Sequence, residues 1–256
     1  MEKIMRLEKV GVNFGGVIAL SNIDMEIRSD EILALIGPNG AGKTTLFNLL
    51  TGIYTPTSGK IYYKDEFINT MPPYKRVKLG IARTFQNPRL IGEMTVLENV
   101  LIAHPDCNGE SLADAVFLAK KNKKRESAAK GCMEILKTVG LENKITELAK
   151  NLPYVDQRLL EIARALITKC NILLLDEPAA GMNMAEKRTL SKLINNLCKK
   201  FNVNIVIIEH DIGLVIEIAN RIIVLDHGVK IAEGTGAEIK NDPLVIAAYL
   251  GEEDVS

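Results

Sequence analysis

The stretch Ile32-Leu33-Ala34-Leu35-Ile36-Gly37-Pro38-Asn39-Gly40-Ala41-Gly42-Lys43-Thr44-Thr45 decides the fold. Its first five residues are apolar without alternation, the pattern of a strand buried on both faces. Gly37 stops the run, and a helix is predicted to start near Gly42-Lys43. Gly37 to Thr44 match G-x-x-x-x-G-K-[ST], and the strand-to-helix context is the one that motif requires. Glycines let backbone N–H groups turn inward around phosphate oxygens, and the helix N-terminus adds positive partial charge. Lys43 is placed to reach the β- and γ-phosphates, and the Thr44 hydroxyl to bind Mg²⁺. Pro38, Asn39, Ala41 and Thr45 complete the predicted phosphate-binding set. The plain alternative is a glycine-rich turn that binds nothing, and the flanking pattern argues against it.

Further along, the buried run Ile172-Leu-Leu-Leu175 ends in Asp176-Glu177, and Ile205-Val-Ile-Ile208-Glu209 ends at His210. Parallel sheets gather ligand-binding groups at the carboxyl ends of their strands. Asp176 is placed to hold Mg²⁺, and a second acid directly after it suits a residue that positions an attacking water. Alone, an acidic pair is an ordinary loop entry and a single His is usually structural. Together with the phosphate loop, three strand-end motifs point to one site. His104 and His227 have no such support and read as structural; Gln86, taken alone, reads as turn chemistry.

The first 70 residues read as strands. Ile23, Met25 and Ile27 alternate with Asp24, Glu26 and Arg28, the signature of a half-exposed antiparallel strand. Between about 88 and 150 the texture turns helical. Thr95-Val-Leu-Glu98 predicts a capping box, and a helix over about 126–139 is predicted to stop at Gly140. After Gln157 strand–helix alternation returns, and Asp242-Pro243 predicts a last helix with Pro at its first position. The layout is α/β, with a mostly parallel core sheet, an antiparallel β layer and an inserted helical subdomain. The predicted division is a core of 1–86 and 158–256 with the helical subdomain at 87–157.

Composition excludes several classes. With 32 Lys+Arg against 32 Asp+Glu among 256 residues, the zero net charge argues against a sequence-independent nucleic-acid partner. Cys107, Cys132, Cys170 and Cys198 lie far apart, which argues against a disulfide framework or a zinc site and fits a reducing compartment. No apolar run approaches the roughly 18 residues of a membrane-spanning helix. Val10–Leu20 is interrupted by Asn13 and glycines and reads as folded structure, not as a targeting segment. The basic run Lys120–Arg125 reads as a solvated helix face, with contact to an anionic membrane surface or a loop of a partner protein as the alternative.

In order and over essentially the whole length, these motifs resemble those of ATP-binding-cassette (ABC) transporter ATPase subunits. The finer resemblance is to subunits energising branched-chain amino-acid uptake. It rests on Arg83-Thr-Phe-Gln-Asn87, Met94-Thr-Val-Leu-Glu-Asn-Val100, Asp176-Glu-Pro-Ala-Ala-Gly-Met-Asn183 and the ending Asn241-Asp-Pro243 through Tyr249-Leu-Gly251. The resemblance implies a P-loop NTPase core that binds ATP and Mg²⁺ and acts as a peripheral ATPase on the cytoplasmic face of the inner membrane. It implies two permease subunits, a solute-binding protein in the same system, and a head-to-tail pairing with a second cassette around two ATP molecules. It makes Gln86 the Q-loop glutamine linked to the Mg²⁺ site, Glu177 the catalytic carboxylate and His210 the switch histidine at the γ-phosphate. Lys43 joins them at the phosphates, and Phe14 becomes the aromatic that stacks on adenine.

The signature loop, which faces the partner's ATP in the family, departs from the family's Leu-Ser-Gly-Gly-Gln. Here it is Leu152-Pro153-Tyr154-Val155-Asp156, followed by Gln157. If the glycine position needs a left-handed backbone, Val155 costs about 1–2 kcal/mol, about a tenfold loss. Asp156 adds negative charge where a phosphate docks and is placed to cap the following helix. A heterodimer with a related ATPase follows as an expectation, a homodimer being the other option. Low ATPase activity of the isolated subunit is expected, with a gain on Val155→Gly plus Asp156→Gln. Met184 stands where the subfamily usually has Pro. The competing functional classes are a hydrolysis-poor regulatory cassette and a soluble non-transport ABC ATPase.

Overall fold

The computed structural model describes residues 2–107 and 123–253. Of the basic run, Lys120, Lys121 and Asn122 lie outside the described residues. Among the described residues the strands form two sheets. β1 (Lys3–Phe14), β2 (Val17–Arg28), β4 (Ser58–Tyr63) and β5 (Glu66–Phe67) make an antiparallel layer in the order β2-β1-β4-β5. Ile23, Met25 and Ile27 point into the core, while the alternating Asp24 is exposed.

The core sheet comprises β3 (Ile32–Ile36), β6 (Ile81–Arg83), β7 (Ile172–Asp176), β8 (Asn204–Ile208), β9 (Arg221–Asp226) and β10 (Val229–Gly234). Its order is β10-β9-β3-β8-β7-β6, parallel except at β10. The unalternating apolar runs have a direct cause. Ile32, Ala34 and Ile36 face one apolar cluster and Leu33 and Leu35 the other, so neither face of β3 meets water.

One cluster lies between the sheet and the antiparallel layer and takes in α1 (Lys43–Thr51). The other takes in α3 (Val96–Leu101), α4 (Lys123–Thr138), α5 (Tyr154–Leu166), α6 (Met184–Phe201) and α7 (Ile212–Ile218). The predicted capping box at α3 is present: Thr95 Oγ1 accepts from Glu98 N, and Glu98 Oε2 accepts from Thr95 N. Gly140, just past α4, takes the left-handed conformation its sequence position predicts. Asp242 Oδ1 accepts from Leu244 N at the start of the final helix, Pro243–Glu253.

The phosphate-loop helix is anchored at its far end. Arg76, fully buried in α2 (Pro73–Leu79), donates to Leu49 O and Leu50 O of α1 and to Met71 O, Ile68 O and Asn69 O. Burial with carbonyl partners only lowers its pKa to about 10, so it stays charged at neutral pH and satisfies the last-turn carbonyls of α1.

Candidate active site

The carboxyl ends of β3, β8 and β7 are neighbours in the sheet, and each delivers one motif to the same edge. β3 runs into the Gly37–Thr44 loop. Gly37 has φ 145°, and a Cβ there would sit 2.0 Å from Leu225 O, so only glycine fits. Gly42, at φ 98°, is also crowded, a Cβ there lying 2.7 Å from Leu20 Cδ2 and 2.8 Å from Ala19 O, and it turns the chain into α1 without a side-chain cap. The positive end of α1 therefore adjoins the glycine-rich loop directly.

A cavity of about 200 Å³ is lined by Asn39, Gly40, Ala41, Gly42, Lys43, Thr44 and Thr45 on one side and by Glu177 and His210 on the other. Gly37 and Pro38 shape the loop from behind: Lys43 Nζ donates to Gly37 O at 2.5 Å and Pro38 O at 2.8 Å. An ammonium in the cavity wall, a glycine-rich loop and a carboxylate opposite form a set that fits nucleotide phosphates and a divalent cation.

Glu177 is gripped on both oxygens. Gln86 Nε2 donates to Oε2 at 2.8 Å, and His210 Nε2 lies 3.0 Å from Oε1. Its backbone is left-handed at φ 47°, a conformation that costs a non-glycine residue about 1–2 kcal/mol. The Glu177 N–H donates to Ile208 O at 2.9 Å, which holds the strained residue against β8.

Asp176 is buried, and its Oδ2 accepts from Arg83 Nη2 at 2.7 Å. Arg83 also donates to Asn48 Oδ1 and lies over the rings of Phe47 and Phe85. Sequence reasoning quoted Arg83 without giving it a role. Its signal was a cation ending a short apolar run on the same sheet edge.

Glu209, also missed, is buried beside His210 and accepts from Ala179 N at 2.7 Å. Burial pushes its carboxyl above the ordinary value, and the charge of Glu177 adds to that; the Ala179 and His210 N–H groups work against it. Asp211 Oδ2 accepts from Lys187 Nζ at 2.6 Å. Each member of Glu209-His210-Asp211 thus binds a different point of the 177–187 segment.

Phe14 lies at the tip of the β1–β2 hairpin, half-exposed and edge-on to Tyr54 with ring centroids 5.0 Å apart; it does not line the phosphate cavity. His104 is buried with Nδ1 accepting from Asp106 N, and His227 occupies the β9–β10 turn at φ 42°.

The signature segment corrects two expectations. Val155 lies inside α5 and not in a left-handed conformation, so no backbone penalty attaches to it; its side chain packs against the core. Asp156 does not cap the helix with its side chain, because the cap position falls at Pro153. Its charge is answered within the chain, Lys144 Nζ donating to Oδ2 at 2.5 Å. Leu152 is buried, with its carbonyl accepting from Gln157 Nε2, and Tyr154 is half-exposed. Met184 is the exposed first residue of α6, a position that accepts Pro or a good helix former alike.

The family model for ABC transporters matches residues 20–180. This chain belongs to the ABC transporter family. A second model, for branched-chain amino acid ATP-binding cassette transporters, matches residues 229–255 of the cassette. The high-affinity branched-chain amino acid transport ATP-binding protein LivG of Escherichia coli (strain K12) is 42% identical, over 98% of this chain and 99% of its own. Among solved structures, the ADP conformation of MJ1267, an ATP-binding cassette of an ABC transporter, superposes with a TM-score of 0.85. It is 32% identical, over 98% of this chain and 100% of that one. The dimeric post-hydrolysis state of the cassette MJ0796, bound to ADP and Pi, superposes at 0.74. It is 25% identical, over 90% of this chain and 98% of that one. The cassette is an ATPase with an α/β P-loop fold. Among the described residues no helix is long and apolar enough to cross a membrane.

Proposed function

We propose that this cassette hydrolyses ATP to drive an importer of branched-chain amino acids, bound to the cytoplasmic face of the inner membrane through two permease subunits. The observation that carries the reading is the Glu177 carboxylate held by Gln86 and His210 across the cavity from Lys43, in a chain aligned along its length with LivG.

The geometry supports the following division of labour. The loop amides and Lys43 bind the β- and γ-phosphates and stabilise charge on the transferring group. Glu177 orients the attacking water and takes up its proton. His210 fixes the Glu177 carboxylate and faces the γ-phosphate side of the cavity. Phe14, at the hairpin tip, supplies an aromatic surface for adenine. Mg²⁺, when bound, would be held by Thr44, Asp176 and Gln86, and would supply positive charge to the nucleotide phosphates. Glu177 touches both Gln86 and His210, so the hydrolytic carboxylate is wired to the loop that leads into the helical subdomain.

The cassette pairs head to tail with a second cassette, each first turn of α5 offering its amides to the other's ATP. The second cassette is a related ATPase or another copy of this chain; with Val155 unstrained and Asp156 paired to Lys144, the altered turn no longer requires the former. The hydrolysis-poor regulatory reading has less support, since the altered turn is unstrained and its charge is paired.

Isolation of the membrane complex by a tag on this chain tests the reading. Two hydrophobic permeases and a second cassette are expected. Its ATPase should rise when a solute-binding protein loaded with leucine, isoleucine or valine is added. A complex without permeases, or ATPase indifferent to those solutes, would overturn it.

A further inference from the structure

Three charged side chains of α5 converge on one short loop. Glu161 Oε1 accepts from Phe85 N at 3.2 Å and from Arg89 N at 3.3 Å. Arg158 Nη1 donates to Phe85 O at 3.2 Å, and Arg164 Nη1 donates to Arg89 O. The N–H and the carbonyl of both residues flanking the loop are thus held from a single helix. Residues three apart share a helix face, which is why 158, 161 and 164 converge. Glu161 is buried, and its Oε2 has no hydrogen-bond partner among the described residues. A carboxylate kept in that setting by chance is improbable on energetic grounds, because burying it incompletely paired is costly.

The clamped loop contains Gln86, directly after Phe85, and Gln86 is the residue that bonds Glu177. At its other end α5 begins with Tyr154, Val155 and Asp156, the turn assigned above to the partner's ATP. We propose that Glu161 is a positioning residue that fixes Gln86 to α5, so that ATP docking on the first turn of α5 sets the Gln86–Glu177 contact at this chain's own site. The link joins the two nucleotide sites of the dimer through one rigid helix. It rests on the head-to-tail pairing proposed above. Arg158 reinforces it, because its guanidinium also donates to the Tyr154 hydroxyl at 2.5 Å, in the docking turn itself.

The test uses the assembled transporter with Glu161→Leu, Glu161→Gln, Gln86→Ala and the double variant Glu161→Leu/Gln86→Ala. Glu161→Leu should lower kcat about tenfold, bring the Hill coefficient for ATP close to 1 and leave the affinity for ADP within about twofold. Glu161→Gln keeps an oxygen that accepts both N–H groups and should retain activity within about threefold. Because Glu161 acts through Gln86, the double variant should be no slower than Gln86→Ala alone. Amide exchange of residues 85–89 should quicken in Glu161→Leu. If Glu161→Leu does not fold, Arg158→Leu, which frees Phe85 O, takes its place with the same expectations. Strictly multiplicative losses, or an unchanged Hill coefficient in a variant that exposes the 85–89 amides, would overturn the proposal. A wild-type complex that hydrolyses ATP without cooperativity would overturn the pairing it rests on, and the proposal with it.

Discussion

Gln86 and His210 hold opposite oxygens of one carboxylate: Gln86 Nε2 is 2.8 Å from Glu177 Oε2, and His210 Nε2 is 3.0 Å from Oε1. Neither contact is strong alone, but two of them on a residue with a left-handed backbone leave the carboxylate one orientation. Replacing His210 by Ala should lower kcat about 10²- to 10³-fold, and Gln86→Ala about tenfold, with nucleotide binding changed less than threefold. Single-turnover hydrolysis alongside equilibrium binding of a fluorescent nucleotide separates the two. Equal losses in binding and turnover would place these residues in the binding step instead.

Arg83 and Asp176 form a buried ion pair, each side chain 6% exposed. Removing the cation with Arg83→Met leaves a buried carboxylate uncompensated, a cost of about 3–5 kcal/mol. At this chain length that lowers Tm by about 10 °C. With Asp176 in the proposed metal-binding role, a divalent cation carried in with nucleotide would restore positive charge beside it. Mg·ADP should therefore raise the Tm of Arg83→Met by several degrees more than that of the wild type. Thermal denaturation with and without Mg·ADP decides it, and an equal rise in both proteins would argue against competition for Asp176.

The pairing of Lys144 with Asp156 changes what the altered signature turn should do. Lys144→Ala exposes the Asp156 charge at the turn and should cut ATPase of the assembled complex several-fold, whereas Asp156→Gln should be close to neutral. Val155→Gly has no backbone strain to relieve. It puts a glycine inside a helix and removes a packed side chain, lowering stability by about 1 kcal/mol, a Tm decrease of about 2–4 °C. A gain in Tm for Val155→Gly would show that the valine is strained after all.

Glu161 gives a pH signature. Burial lifts its carboxyl above the ordinary value, while the Phe85 and Arg89 N–H groups and the charges of Arg158 and Arg164 lower it without cancelling the effect. A raised folded-state pKa contributes stability below the unfolded value of about 4.3 and loses it as pH climbs through the folded value. Glu161→Gln does not titrate. The Tm of the variant minus that of the wild type should therefore increase from pH 4 to pH 7. A difference that stays flat or declines over that range would contradict the assignment.

The parts of the molecule read most directly from sequence are those where one local pattern has one physical meaning. Ile32–Ile36 followed by a glycine-rich turn and Lys43 admits little except a two-sided buried strand and a phosphate loop. Thr95 with Glu98, and Asp242 with Pro243, announce their helix starts in the same way. Charged groups whose partners are far along the chain were not legible. Arg83 meets Asp176, Lys144 meets Asp156, and Glu161 meets Phe85 and Arg89 only once the sheet and helices are assembled. The Val155 expectation failed for a related reason. A departure from a motif shows that a side chain has changed, while the backbone around it is set by Pro153 and the helix that follows.

The central claim is that hydrolysis at Glu177 drives uptake of branched-chain amino acids. Uptake of labelled leucine should be measured in cells whose only copy of this cassette carries Glu177→Gln, with the complex quantified in the same membranes. The account predicts loss of uptake by at least tenfold, with the complex assembled and nucleotide bound as in the wild type. Leucine uptake at the wild-type rate in those cells would contradict it.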